Sequence, residues 1–291
     1  MVSPITERLK RSPFMKFNLN ETAKEHIIVV AHRGAAGGNI PCNTATAYET
    51  ALRQGADMLE VDLNKTADGV LVIFHPKMEK AHLGVDCSIP QMTYEEVKKL
   101  RYVNYDRTPT QFGLLTFDEV LERFHGRCYI NVDKFWDHPE DIYKAIKRHG
   151  MMDQIVVKSA PSEKVLNVLE ELAPELPFLP IVKNNFTLHE ELMKRNINYV
   201  GAEMVFTSED AQAISLELMD QMHRDEKLVW SNSIIYNYKD QLSAGHSDDT
   251  ALSESPEKGW GWLADRGFDF IQTDWPQMVV DYLKTSGKYY R

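Results

Sequence analysis

Cysteine is scarce in this chain of 291 residues, and long apolar runs and excess positive charge are lacking. The three cysteines, Cys42, Cys87 and Cys128, are odd in number and show no CxxC spacing, which excludes a disulfide framework and a cysteine-based zinc cluster. No segment approaches the ~20 apolar residues of a membrane span, and the N-terminus lacks the apolar core of a signal peptide. We therefore expect a soluble, cytoplasmic protein with reduced thiols and no stable membrane insertion. Export of a mature form stays open.

The charge balance limits the partners. Lys and Arg number 33 against 43 Asp and Glu, so the formal net charge is -10. This field repels nucleic acid, which we exclude as a partner. A small phosphate ester remains compatible if a divalent cation and a few local Lys or Arg residues reverse the charge inside a site.

Eight short aliphatic or β-branched runs alternate with amphipathic segments, which predicts right-handed βαβ units and a parallel sheet. The number of runs favours a closed (β/α)8 TIM barrel in one domain, residues 27–291, after an N-terminal extension, residues 1–26. The predicted strands are Ile27–Ala31, Met58–Leu63, Cys128–Val132, Ile155–Lys158, Phe178–Ile181, Tyr199–Glu203, Leu228–Ser231 and Phe270–Thr273. The clearest helices are Thr44–Arg53, Glu140–His149, Ser162–Leu172, Ser208–Arg224 and Pro256–Arg266.

One stretch interrupts this alternation. The Asp68-Gly69 turn followed by Leu71–Phe74 predicts a hairpin that returns His75 to the second barrel strand. Residues 76–115 then form a small insertion, with a helix over Thr93–Leu100, which is longer than an ordinary loop between a strand and a helix. We expect this insertion to lie over the barrel mouth.

Two carboxylates end the second predicted strand. Side chains two residues apart share one face of a strand, so Glu60 and Asp62 point into the barrel while Leu59, Val61 and Leu63 pack outward. Two adjacent carboxylates repel each other, and a cation relieves that repulsion. An all-oxygen pair predicts one divalent cation, Mg²⁺ or Ca²⁺.

The third predicted strand leads to Asp133, which has the inward parity of Tyr129 and Asn131. This parity makes Asp133 a candidate third metal ligand. Two other roles stay open, because Asp133 is also suited to cap the helix that follows or to pair with Lys134.

Two histidines follow buried strands near this pair. His32 precedes Arg33 and the small residues 34–38, whose backbone N–H groups can approach an anion, and Arg33 adds a guanidinium suited to phosphate. His75 ends the hairpin that begins after Asp62. Two imidazoles can divide general acid and base work, so we predict His32 and His75 as the catalytic pair.

Several motifs together resemble the glycerophosphodiester phosphodiesterase family, in the order that the family has them. They are Ala31-His32-Arg33-Gly34, then residues 41–44, 55–63 and 66–75, and later residues 92–100, 115–121 and 267–276. The resemblance covers nearly the whole chain, although residues 161–225 are supported mainly by the strand rhythm.

The resemblance implies that His32 and His75 are the acid–base pair, Arg33 a phosphate contact, and Glu60, Asp62 and Asp133 the metal ligands. Asp133 stands where the family usually has Glu. Three further departures occur: Cys42 replaces a Glu, Pro76 replaces an Asp, and Lys134 comes one residue before the expected lysine, which would turn it to the other strand face. The candidate phosphate-binding residues are therefore Arg33, Lys134, Lys158 and Lys183.

The expected function is metal-dependent hydrolysis of glycerophosphodiesters to glycerol 3-phosphate and an alcohol. Further candidate substrate contacts are Glu203, Trp230 and Asn232, at the ends of the sixth and seventh strands. One alternative keeps the chemistry but acts on a lysophospholipid or sphingolipid, as related venom-type phospholipases do. Another is a non-catalytic phosphate- or sugar-binding relative. The sequence does not indicate an oligomeric state.

Overall fold

The computed structural model describes residues 17–237 and 239–291. Its strands, in chain order, are Ile28–Ala31 (β1), Met58–Lys65 (β2), Leu71–Ile73 (β3), Tyr129–Asp133 (β4), Ile155–Ser159 (β5), Phe178–Lys183 (β6), Gly201–Val205 (β7), Leu228–Asn232 (β8), Ile235–Asn237 (β9), Asp240–Gln241 (β10) and Phe270–Thr273 (β11). Within this part of the chain, β1, β2, β4–β8 and β11 run parallel, and β1 pairs with both β2 and β11. The sheet is therefore closed, and the predicted (β/α)8 barrel is confirmed.

Helices connect these strands on the outside. They are Leu19–Glu25 (α1), Ala45–Arg53 (α2), Glu79–His82 (α3), Tyr94–Val97 (α4), Phe117–Phe124 (α5), Pro139–His149 (α6), Glu163–Leu172 (α7), His189–Leu192 (α8), Leu216–Arg224 (α9), Asp248–Ser253 (α10), Trp262–Arg266 (α11) and Pro276–Thr285 (α12). The predicted helix Ser208–Arg224 is shorter in the structure, and Pro256–Arg266 begins with one π-helical turn. None of the described helices is long and apolar enough to cross a bilayer.

The period-2 pattern of the strands separates two apolar layers. Inward residues such as Met58, Tyr129 and Trp230 fill the barrel, whereas Leu59 and Val61 pack outward with the helices. The outward packing of these two residues confirms the parity inferred for the second strand. Glu60 and Asp62 consequently point into the barrel above Met58.

The described part of the N-terminal extension belongs to the barrel core. Phe17 and Leu19 pack with the inward residues, and the Phe17 ring lies edge-on to Tyr129 with 5.0 Å between ring centroids. Asn18 caps α1 by accepting a hydrogen bond from the Glu21 backbone. Residues 1–16 of the predicted extension lie outside the described residues.

Strand β3 pairs antiparallel with the end of β2, with Leu63 opposite Ile73, as the hairpin prediction required. The insertion that follows contains α3, a 3₁₀ turn at Ile89–Gln91 and α4, which a reciprocal Thr93–Glu96 capping box begins. Its apolar residues form a cluster of their own that includes Leu83, Ile89, Val97, Tyr102 and Leu114. These buried residues therefore stabilise the insertion.

Candidate active site

Three carboxylates meet at the C-terminal end of β2 and β4. Asp62 is paired in register with Asp133, so the inward parity of both strands brings their side chains together with Glu60. One oxygen from each of the three lies within 4.8 Å of the others. Glu60 and Asp62 are almost completely buried, at 3% and 0% exposure.

Two features of this cluster suit a cation. Burial, together with the neighbouring charge of Asp62, raises the pKa of Glu60 to about 7. Oδ1 of Asp62 is buried and accepts no hydrogen bond from any residue in the described part of the chain. An unpartnered carboxylate oxygen beside two further carboxylates fits a hard divalent cation, for which oxygen is the preferred donor.

A tight turn after β1 holds Arg33 against this cluster. Its backbone N–H donates to Oε2 of Glu60 at 3.0 Å, and its Nε lies 2.8 Å from Oδ2 of Asp62. Arg33 has a left-handed backbone with φ 56°, and a Cβ at Gly34 would lie 2.7 Å from the Ala47 carbonyl carbon. Glycine is thus required for the close packing of the turn on α2. The ion pair uses Nε, so the terminal guanidinium nitrogens can be directed at a phosphate.

Asn43 is a member of the site to which no role was assigned from the sequence. Its amide donates to Oδ2 of Asp62 at 2.9 Å, and its carbonyl oxygen accepts from the buried Tyr48 hydroxyl at 2.8 Å. It lies inside the 41–44 motif. The signal available in the sequence was a polar residue in the segment between β1 and α2.

Lys134 contacts the site, and the expectation that it turns to the other face is wrong. Its backbone adopts a left-handed conformation with φ 64°, which breaks the strand alternation after β4. The ammonium lies 2.5 Å from Oδ2 of Asp133 and over the ring of Trp136. Burial is the largest single effect and would raise the pKa of Asp133, but the charge and hydrogen bonds of Lys134, together with the charge of Lys158, lower that pKa overall. Of the roles left open for Asp133, the structure shows the ion pair with Lys134. The same carboxylate also converges with Glu60 and Asp62.

His32 is held by Asp274. Its Nδ1 bonds Oδ1 of Asp274 at 2.8 Å, which leaves Nε2 for substrate. Burial would lower the pKa of His32, but the bond to Asp274 and the charge of Glu60 raise it overall. The buried carboxylate of Asp248 accepts from the Asp274 backbone at 2.9 Å and from Thr273 and Trp260, which fixes the turn. Asp248 and the pairing of Asp274 could not be inferred from sequence order.

His75 lies on the hairpin side of the cluster. Its Nδ1 faces the Pro76 carbonyl at 2.9 Å, and because a carbonyl only accepts, Nδ1 carries the proton and Nε2 is the free nitrogen. That Nε2 is 4.0 Å from Oδ1 of Asp62. Burial, more than the opposing charge of Asp62, lowers the pKa of His75. The departure at Pro76 therefore still provides a carbonyl that orients the ring.

The candidate substrate contacts on β5, β7 and β8 contact one another inside the barrel. Nζ of Lys158 lies 2.7 Å from Oε2 of Glu203 and 3.9 Å from the Trp230 ring centroid. Asn232 donates to Oε1 of Glu203 at 2.7 Å, and Lys158 donates to Gln272 at 3.2 Å. Lys158 and Glu203 are thus engaged with each other and not open to a phosphate.

One of these candidates needs correction. The expectation that Trp230 contacts the alcohol is not supported, because its indole is completely buried and stacks on Phe270. Lys183 is exposed at the end of β6, and its contact with a phosphate stays a prediction. Lys134, by contrast, contacts Asp133 of the carboxylate cluster.

The family model for the glycerophosphoryl diester phosphodiesterase family matches residues 32–277. A glycerophosphodiester phosphodiesterase of Bacillus subtilis is 28% identical over 204 residues, covering 63% of this chain and 66% of the relative. The human lysophospholipase D GDPD1 is 27% identical over 277 residues, covering 87% and 85%. The chain spans about two thirds of the length of the first bacterial relatives that it matches.

Solved structures share the fold. A glycerophosphoryl diester phosphodiesterase from Parabacteroides distasonis has a TM-score of 0.75 at 17% identity, with 100% of this chain and 98% of that chain covered. A phosphodiesterase from Oleispira antarctica, solved with the product sn-glycerol-3-phosphate, has a TM-score of 0.65 at 19% identity, with 89% and 97% covered.

Proposed function

The chain belongs to the glycerophosphoryl diester phosphodiesterase family, and we propose that it hydrolyses glycerophosphodiesters to glycerol 3-phosphate and an alcohol. One observation carries this proposal: two imidazoles, each with a free Nε2, lie at a barrel mouth that also holds Arg33 and three converging carboxylates. This set provides proton transfer, phosphate binding and a cation site together.

The cation site is proposed to consist of Glu60, Asp62 and Asp133. When bound there, Mg²⁺ or Ca²⁺ would supply a positive charge that stabilises the extra negative charge of the transition state. The unpartnered Asp62 oxygen supports this assignment. Lys134 and Arg33 extend the positive charge toward the phosphate from two sides of the cluster.

The two histidines are proposed to move protons at opposite ends of the reaction. One imidazole accepts the proton of the attacking oxygen through Nε2, and the other donates a proton to the oxygen of the departing alcohol. Asp274 holds His32 and the Pro76 carbonyl holds His75, so both rings are oriented before substrate binds. Which histidine is the acid stays open, as does a cyclic phosphate formed by the neighbouring glycerol hydroxyl.

Single substitutions at the two histidines test this proposal. We expect His32→Ala and His75→Ala to lower kcat on glycerophosphoglycerol by at least about 100-fold, the lower range of acid–base contributions. Both variants should still bind the cation in calorimetry, because neither ring is needed for the carboxylate cluster. Wild-type activity in both variants would refute the scheme.

A second candidate substrate is a lysophospholipid. It is favoured by exposed aromatic side chains on loops of the mouth, Tyr105 at 94%, Tyr236 at 70% and Trp275 at 49% exposure, since amphipathic rings suit a lipid interface. Turnover of lysophosphatidylcholine together with co-sedimentation with vesicles would support it. Hydrolysis of glycerophosphodiesters alone, without vesicle binding, would rule it out.

The non-catalytic alternative is less well supported by the geometry. A protein that only binds phosphate has no need for two oriented imidazoles beside a buried carboxylate cluster. Hydrolysis of bis-p-nitrophenyl phosphate, measured with and without chelator, separates the two: no cation-dependent turnover on this ester or on glycerophosphocholine would favour binding alone.

A further inference from the structure

A groove of about 460 Å³ opens beside the carboxylate cluster, between residues 36–42 of the loop after β1 and residues 81–107 of the insertion. An amide contact links its two walls, because Asn104 donates to Oδ1 of Asn39 at 3.2 Å. The volume falls in the range of small-molecule sites, about 300–1,000 Å³. The groove is therefore large enough for a ring-sized group.

The groove borders the candidate active site through residues that are next to site residues or bonded near them. Cys42 lines it, and the next residue, Asn43, bonds Asp62 at 2.9 Å. Tyr102 lines it from the insertion and donates its hydroxyl to the carbonyl of Ile73, two residues before His75. These two connections place the groove near Asp62, on the side of the barrel mouth that carries His75.

The residues that line the groove form a neutral to positively charged surface. Among the described residues that line the groove, Arg107 is the permanent charge and no carboxylate is present. Burial raises the pKa of the Cys42 thiol to about 11, and burial also lowers the pKa of His82, so both are neutral near pH 7. The Asn104 amide is already bonded at both ends, since it donates to Asn39 and accepts from the Thr108 backbone.

We propose that this groove binds the departing alcohol and selects alcohols that carry several hydroxyls or a negative charge over alcohols that carry an ammonium group. The proposal rests on the proposed phosphodiesterase function and adds the substrate class. Hydroxyls and anionic groups find the Arg107 donors, whereas a quaternary ammonium finds no carboxylate and meets a guanidinium. A cyclic polyol fills the volume better than glycerol alone.

The experiment compares kcat/KM for glycerophosphoinositol, glycerophosphocholine and the methyl ester of glycerol 3-phosphate in the cation-loaded enzyme. We expect the wild type to prefer the inositol ester to the choline ester. Arg107→Gln should lower the inositol-to-choline ratio about tenfold, mainly through KM, and Arg107→Lys should largely retain it. Arg224→Gln, which removes an exposed arginine from the last turn of α9, is the matched control and should leave the ratio unchanged.

A second variant tests the volume without touching the charge. Ala81 lines the groove on α3, so Ala81→Phe should lower kcat/KM for the inositol ester at least fivefold and leave the methyl ester unaffected. If the methyl and inositol esters are hydrolysed but neither variant changes their discrimination, the groove is not the alcohol site. If no ester is hydrolysed by the wild type, the phosphodiesterase function itself fails, and the subsite with it.

Discussion

The buried ion pair inside the barrel provides the sharpest test of how the site is supported. Lys158 and Glu203 lie 2.7 Å apart with side chains 5% and 8% exposed. Replacing one partner leaves the other as an uncompensated buried charge, which costs about 3–5 kcal/mol. Replacing both removes the pair together with its desolvation penalty. We therefore expect Glu203→Gln and Lys158→Met to destabilise the protein far more than the double variant does.

The magnitude for Glu203→Gln can be bounded. The ammonium would keep its bond to Gln272 at 3.2 Å and the face of Trp230 at 3.9 Å, which places the loss near the lower end, about 3 kcal/mol.

Urea titrations of the wild type, both single variants and the double variant at pH 7 measure these values. We expect the single variants to be destabilised by about 3 kcal/mol and the double variant by about 1 kcal/mol at pH 7. Strictly additive losses would refute the buried pair. A stable double variant with activity reduced more than about 100-fold would instead restore the expectation that Lys158 and Glu203 contact the substrate.

Three further outcomes follow from other contacts. Asp274→Asn replaces a charge-assisted bond to His32 with a neutral one, a loss of about 1 kcal/mol. We expect kcat/KM to fall roughly fivefold while cation affinity is retained. An unchanged pH–rate profile would contradict the role of Asp274 in holding His32. Gly201→Ala places a Cβ 2.1 Å from the Leu228 carbonyl oxygen and should cost about 3 kcal/mol, measured as a Tm drop of about 6–12 °C; an unshifted Tm would contradict this register. The pKa of Glu60 without cation is about 7, so cation binding should release a proton and should weaken as the pH falls from 8 to 6. A pH-independent affinity in calorimetry would count against Glu60 as a ligand.

The rhythm of apolar runs was sufficient to predict the barrel. Met58–Leu63 was predicted as a strand and extends to Lys65 in the structure, and its parity correctly placed Glu60 and Asp62 inside. The sixth predicted strand, which is β7 in the structure, begins at Gly201 and not at Tyr199. Local hydrophobicity marks Tyr199 and Val200 as strand residues, but the close approach of Leu228 to Gly201 depends on the neighbouring strand.

The site was predictable where it depends on one strand and unpredictable where it depends on the fold. The His32–Asp274 bond joins residues 242 positions apart, and Asp248 reaches the same turn from a helix. Lys134 was misplaced because a period-2 pattern cannot anticipate a left-handed residue at a strand end. Trp230 was a candidate substrate contact because it lies near a strand end, but the barrel interior buries it completely.

Phosphorus NMR of glycerophosphoglycerol treated with chelator-stripped protein, before and after addition of Mg²⁺ or Ca²⁺, tests the central claim most directly. The account predicts no turnover in the stripped protein and the appearance of glycerol 3-phosphate once the cation is added, with turnover lost again in Asp62→Ala. Equal hydrolysis before and after chelation, or no hydrolysis with either cation, would contradict a cation-dependent phosphodiesterase built on Glu60, Asp62 and Asp133.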